Sequence, residues 1–449
     1  MKLSQGNMLR KGHMLRKLPC RRNLSGSSAR QEIKSITELP DRIRPTYREI
    51  PSIDLLSLQW PSPPRNVLLI KKEDVGAVSD SLVEFAKHIK STYPSISVLL
   101  ESHVASDLHG RLPFPVYTNT LSPEQGLAQL HHKVDLSTTL GGDGTILHAS
   151  SLFANSSSVP PILSFSMGTL GFLGEWKFKE YKRAFREVYM SGAGGGHRSL
   201  ILEDEKESPA KGIADAGSLS EPGGSGITGW SSVRGKSMGS TRGARVLLRN
   251  RLKVGVFDSS GRRVSGDGTG ASAENDIHAM NEVIIHRGKD PHLAIVDVFV
   301  GGRFLTEAVA DGMIISTPTG STAYSLSSGG SIIHPLVSSL LLTPICPRSL
   351  SFRPLVLPSN TPVTLRLSEK NRGREVEVSI DGRRRSQGIG VGMEIRAWGE
   401  EVSSGDDTWK GGVPCVMRGA VGSDDNGDDG WVGGLNGLLK FNYPFGEEG

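Results

Sequence analysis

Val134-Asp135-Leu136-Ser137-Thr138-Thr139-Leu140-Gly141-Gly142-Asp143-Gly144-Thr145 is the stretch on which the fold turns. Val134–Leu140 reads as a strand, Gly141 to Gly144 as a tight turn around a carboxylate, and Thr145–Phe153 as a helix. A strand delivered through a glycine turn into a helix is the unit of an open α/β sheet, and such sheets bind ligands beyond their strand ends. Glycines on both sides of Asp143 remove Cβ atoms, so backbone can approach a phosphate or a ribose closely. The first N–H groups of the following helix can face an anion. Asp143 is then a carboxylate held at the ligand and able to accept a proton; as a bare pattern it is also a helix cap in an ordinary turn.

Working outward, Asn66–Ile70 is an apolar strand, and Leu82, Val83, Phe85, Ala86 and Ile89 follow at helical spacing. Ile96–Leu100 and Ile162–Ser166 read as strands and Pro123–His131 as a helix, which predicts a parallel α/β domain over residues 65–190. Upstream, 32–64 is polar and proline-punctuated and is read as a linker. Downstream, 191–430 is predicted to be β-rich, with strands at Ala244–Leu248, Leu252–Phe257, Glu282–His286, Ala294–Phe299, Val363–Leu367, Val376–Ile380 and Glu394–Ala397. Gly301-Gly302 is a two-residue hairpin signal. Residues 204–243, rich in Gly, Ser and Glu, predict a disordered insertion. After an Asp-rich loop (Asp424, Asp425, Asp428, Asp429) read as solvated, 431–449 regains a helical pattern at Trp431–Leu439.

Two further stretches carry chemistry. Asp311-Gly312-Met313-Ile314-Ile315-Ser316-Thr317-Pro318-Thr319-Gly320-Ser321-Thr322-Ala323-Tyr324-Ser325 takes an apolar strand into a dense cluster of hydroxyls, suited to ribose, amide or phosphate, with Tyr324 offering a stacking face. Asn281-Glu282 pairs an amide with a carboxylate at a strand start, able to grip a ribose diol or an adenine edge, or simply solvated there.

The charge is uneven. Residues 1–31 hold eight Lys/Arg and no acid, with spaced leucines, which is the pattern of a mitochondrial transit peptide or else of a plain basic tail. Without them acids slightly outnumber bases, so nothing draws the body to nucleic acid, and no apolar run approaches the ~18 residues of a membrane span. Cys20, Cys346 and Cys415 lie too far apart to read as a zinc or disulfide framework. Gly229-Trp230-Ser231-Ser232-Val233-Arg234-Gly235-Lys236-Ser237 has one residue too many for a P-loop and lacks its strand, and His131-His132 reads as a solvated pair at a helix end.

Gly-Gly-Asp-Gly-Thr, Asn-Glu and the long hydroxyl run, in that order, resemble the NAD kinase family over residues 65–445. Gly168-Thr169-Leu170-Gly171-Phe172-Leu173 and Thr343–Pro354 match as well, and His278–Glu282 with Ala310-Asp311-Gly312 is most similar to the fungal mitochondrial NADH kinase branch. The resemblance implies a phosphofructokinase-like N-terminal α/β domain, a β-sandwich-like C-terminal domain, and a C-terminal segment (431–449) that returns to the first domain. The implied activity is ATP-dependent phosphorylation of the adenosine ribose 2′-hydroxyl of NAD(H), giving NADP(H). Asp143 is the implied proton acceptor, with Gly144 beside it. Phe172 lines the dinucleotide pocket, Asn281 and Glu282 hold one end of NAD(H), and Asp311 holds the nicotinamide side. Thr322, Ala323, Tyr324 and Ser327 shape the wall. ATP, carrying a divalent cation such as Mg²⁺, sets its phosphates at Gly141, Gly142, Gly144 and Thr145, with no metal site of the protein's own. Homo-oligomers are expected, with no nucleic-acid or membrane partner, and the mitochondrial matrix is the expected location. A lipid kinase sharing Gly-Gly-Asp-Gly would not need the hydroxyl run, and a non-catalytic NADP(H) sensor would not need Asp143.

Overall fold

The computed structural model describes residues 32–50, 53–73, 75–120, 123–168, 171–174, 176–193, 230, 243–264, 276–405, 408–418, 435 and 439. Its first body is an 11-stranded sheet. From one edge ten strands run Ile33–Ser35, Val116–Thr118, Ser97–Leu100, Asn66–Lys71, Leu136–Gly141, Ile162–Ser166, Val413–Val416, Arg245–Arg249, Ile53–Gln59 and Thr46–Ile50, and the eleventh, Trp176–Lys177, pairs with Ile162–Ser166 off this path. Pairing is parallel from the first edge to Val413–Val416 and antiparallel beyond. The central strand Leu136–Gly141 is buried at every residue, as expected when helices cover both faces. The helix Gly76–Thr92 buries Leu82, Val83, Phe85, Ala86 and Ile89 against it, the face its spacing predicts.

The second body is a sandwich. A six-stranded sheet contains Leu252–Phe257, Glu394–Gly399, Val363–Leu367, Ala294–Val300 and Arg303–Ala310; a seven-stranded sheet contains Ser339–Ile345, Gly312–Ser316, Glu282–His286 and Glu375–Ile380. Val254, Val296 and Leu365 from the first interdigitate with Val283, Met313, Leu340 and Val378 from the second in one apolar core. The hairpin at Gly301-Gly302 forms as predicted, both glycines holding positive φ (58° and 76°).

Three expectations require correction. Residues 32–64 are not a linker: they supply strands at both edges of the large sheet. Asp135 fixes this segment, accepting from the backbone N–H of Ile43 (2.6 Å), Arg65 (2.6 Å) and Asn66 (2.8 Å). Edge strands bond through backbone and need no apolar run, so a polar composition concealed them. The domain boundaries also interleave, because Arg245–Arg249 and Val413–Val416 leave the β-rich region to join the first sheet. Finally, His131 is not a solvated partner of His132, since its Nε2 donates to the Leu152 carbonyl at 2.9 Å and its ring lies against Phe153. The stretch expected to be disordered falls outside the described residues, except Gly243 and a half-buried Trp230 packed edge-on to Tyr189. The basic N-terminus, the Asp-rich loop and the returning tail lie outside them too, apart from helical Leu435 and Leu439.

Candidate active site

The helix after the central strand spans Asp143–Ser151, so Asp143 is its first residue. Its carboxylate accepts from the backbone N–H of Phe172 (Oδ2, 2.9 Å) and Leu173 (Oδ1, 3.1 Å). The loop can close this tightly only because position 171 is glycine: a Cβ there would stand 2.1 Å from Asp143 Oδ1. Gly141 has a like role, since a Cβ would come within 2.1 Å of Thr145 Oγ1, while a Cβ on Gly142 or Gly144 would meet open space. The turn thus presents one fixed carboxylate and accessible backbone at a helix N-terminus, where partial positive charge favours an anion.

The second motif is fixed with equal care. Asn281 and Glu282 are buried (6% and 5% exposed) at the start of the strand Glu282–His286. Thr317 holds the turn before it, its N–H donating to the Asn281 carbonyl (2.9 Å) and its hydroxyl to that of Met280 (2.6 Å). Gly320 packs on the same carbonyl, where a Cβ would come within 2.2 Å of Asn281 O. Asn281 Oδ1 and Glu282 Oε2 are buried and make no hydrogen bond within the described chain, so both oxygens are available to a ligand. Burial, and then the charge of Asp381, raises the Glu282 carboxyl to about 8.

The hydroxyl run folds as a 3₁₀ turn, Thr319–Thr322, and a short helix, Tyr324–Ser327. Ser321 and Ser325 are structural, binding Pro318 O (2.6 Å) and Thr343 Oγ1 (2.8 Å). Thr322 and Ala323 are half-buried, and Tyr324 and Ser327 are exposed. Asp311 lies at the other end of its strand. The register pairs Ser316 with Glu282 but Gly312 with His286, which sets Asp311 roughly 16 Å along the sheet from the Asn-Glu pair. There Asp311 Oδ1 accepts from Arg287 Nε at 2.7 Å.

Several residues that join these pieces carried no sequence signal on their own. Arg249, 3% exposed, extends one guanidinium nitrogen towards Phe172 O (3.4 Å) and another towards Thr319 Oγ1 (3.5 Å). The loop clasping Asp143 and the turn packed on Asn281 therefore face each other across one side chain. Arg251, fully buried, binds Glu400 (2.8 and 2.6 Å) and the carbonyls of Phe153 (3.1 Å) and Ser156 (2.8 Å), fastening the end of the Asp143 helix region to the sandwich. Beside them lies a cavity of about 520 Å³ between the two bodies, with Glu101, Leu130, Leu152, Asp381 and Arg383 among its lining. His148 Nε2 meets Glu101 Oε1 at 2.7 Å, and Nδ1 lies against the Arg383 guanidinium. Burial alone would raise Glu101; the bond to His148 and the nearby positive groups outweigh it and hold the carboxyl below its usual range.

A largely parallel α/β sheet with a carboxylate at a glycine-turn helix start, facing a β-sandwich across a cleft, fits a two-domain nucleotide-dependent phosphotransferase. Residues 69–193 match the ATP-NAD kinase N-terminal domain and 280–392 the ATP-NAD kinase C-terminal domain. The mitochondrial NADH kinase of Schizosaccharomyces pombe is 37% identical, covering 93% of this chain and 88% of its own. That of Saccharomyces cerevisiae is 35% identical over 83% and 77%. A crystal structure of yeast NADH kinase complexed with NADH superposes with a TM-score of 0.69 at 32% identity, over 93% of this chain and all of that one. The chain belongs to the ATP-NAD kinase family and is an NAD(H) kinase.

Proposed function

We propose that Asp143 is the proton acceptor for the adenosine ribose 2′-hydroxyl of NAD(H), and that ATP delivers its γ-phosphoryl group to that oxygen. The observation that carries this reading is the fixed carboxylate: each oxygen takes one backbone N–H and keeps a lone pair. The hydroxyl oxygen attacks the γ-phosphorus while its proton passes to the carboxylate, and ADP leaves. Phosphoryl transfer asks mainly for in-line positioning and charge neutralisation, so rigid placement is the principal contribution of the protein. Gly141, Gly142, Gly144 and Thr145 offer backbone and the helix N-terminus to the phosphates. A divalent cation such as Mg²⁺, carried by ATP, neutralises charge on the phosphates.

Asn281 and Glu282 hold the adenosine end of NAD(H) with Phe172, Thr322, Ala323, Tyr324 and Ser327 around it, and Asp311 reads the nicotinamide end. A dinucleotide is long enough to make the separation of Asp311 from Asn281 reasonable, and a second copy of the chain in a homo-oligomer would supply the same residue from outside. The mitochondrial relatives and the basic, acid-free residues 1–31 support a mitochondrial matrix enzyme that supplies NADPH there. The test is direct: protein, Mg-ATP and NADH should yield NADPH and ADP in equal amounts. NADH binding without product would make the chain a sensor.

A further inference from the structure

Asp381 has no role in the proposed phosphoryl transfer, yet its carboxylate is engaged by three backbone N–H groups at the cleft. It follows the strand Glu375–Ile380, is 9% exposed, and holds φ at +48° beside Gly382 at +74°, the two positive-φ positions of an Asp-Gly hairpin turn that pairs Ile380 with Arg383. Its Oδ2 accepts from Met280 N (2.8 Å) and its Oδ1 from Asn281 N (2.7 Å) and Glu282 N (3.2 Å). Its own N–H donates to the Glu282 carbonyl at 3.0 Å. One residue thus binds three consecutive amides and closes a backbone ring on the third. Thr317 and Gly320 hold the opposite side of the same turn. Between these clamps the side-chain oxygens Asn281 Oδ1 and Glu282 Oε2 make no hydrogen bond within the described chain.

A buried carboxylate beside Glu282 is a costly way to stabilise a turn, because two acids repel and burial penalises each. A main-chain carbonyl cannot accept three diverging N–H bonds, whereas two carboxylate oxygens can. What the arrangement secures is a single backbone conformation under two ligand-facing side chains, and fixed geometry is what lowers the cost of binding. We propose that Asp381 is a positioning residue for NAD(H): it sets the 280–282 backbone so that Asn281 and Glu282 meet the dinucleotide in one arrangement. The inference rests on the reading that those two side chains grip NAD(H).

Asp381→Asn keeps shape but replaces one acceptor oxygen with a donor that faces a backbone N–H. In the full-length enzyme we expect KM for NADH to rise 10- to 100-fold, with kcat changed less than threefold and KM for ATP unmoved. A purely structural role would lower the melting temperature and active fraction and leave KM where it was; that result overturns the proposal. Thr317→Val, which frees the turn from the other side, is expected to raise the same KM by 3- to 10-fold, and it serves should Asp381→Asn fail to fold. In that case an unchanged KM in Thr317→Val overturns the proposal. Asn281→Ala separates the two layers. If it loses NADH affinity while Asp381→Asn retains it, positioning by Asp381 is refuted and the grip stands. If neither variant moves the KM, the grip itself is wrong and the inference falls with it.

Discussion

Replacing Asp143 with Asn probes the chemistry at one atom. The carboxylate receives one N–H on each oxygen. The Asn oxygen can keep one of those bonds, but its NH₂ then faces the other amide, donor against donor. Losing one charge-assisted bond to backbone is worth about 1–3 kcal/mol, so the variant should fold with a modestly lower melting temperature. The chemical penalty is larger. A positioned general base contributes about 10²–10⁴ in rate, which corresponds to about 2.7–5.4 kcal/mol of activation free energy. Because Asn281, Glu282 and the hydroxyl turn are untouched, the binding of NADH should persist. The assay pairs initial rates of NADPH formation at saturating Mg-ATP with calorimetric titration of NADH into the same preparation. The expected result is a kcat lowered at least 100-fold and a Kd within about threefold of the parent. A folded variant with undiminished kcat would remove Asp143 from proton transfer.

Other outcomes follow from the same structure. Gly171→Ala should cost turnover at least tenfold, since its Cβ would stand 2.1 Å from Asp143 Oδ1 and must displace the carboxylate; steady-state rates check this. Glu282 keeps its proton to about pH 8 when folded but releases it near 4.5 when unfolded, so its contribution is complete below about 4.5 and is lost as pH rises through 8. Glu282→Gln should therefore lie close to the parent at pH 5 and become progressively more stable than it as pH rises towards 8.5, in dinucleotide-free denaturant titrations. Arg251→Met strips the buried Glu400 of its guanidinium, leaving it the Gly412 N–H and His278, and should lower unfolding free energy by about 3–5 kcal/mol, measured by urea titration. Chelating divalent cations with EDTA should abolish NADPH formation and leave the melting temperature of the protein within a degree or so, because the ion travels with ATP.

What could be read from the chain without coordinates was whatever depends on contiguous residues. Gly141, Gly171 and Gly320 sit where a Cβ would collide with Thr145, Asp143 or the Asn281 carbonyl, so the need for close approach is written locally as glycine. The strands Leu252–Phe257, Glu282–His286 and Val363–Leu367 emerge at their predicted bounds because each alternates or runs apolar against one core. Asp381, Arg249 and Arg251 were illegible for the opposite reason: each acts on partners between roughly seventy and a hundred and fifty positions away, and a lone charged residue carries no period or spacing. The edge strands in 32–64 were hidden likewise, their place set by Asp135 and by backbone pairing rather than by side-chain pattern.

The decisive measurement is a crystal structure of the enzyme with NADH bound. It should show an Asp143 oxygen about 2.6–3.2 Å from the adenosine ribose 2′-oxygen, with Asn281 and Glu282 on the same adenosine. A complex in which that ribose lies beyond the reach of Asp143, with its 2′-hydroxyl turned to solvent, would contradict the assignment.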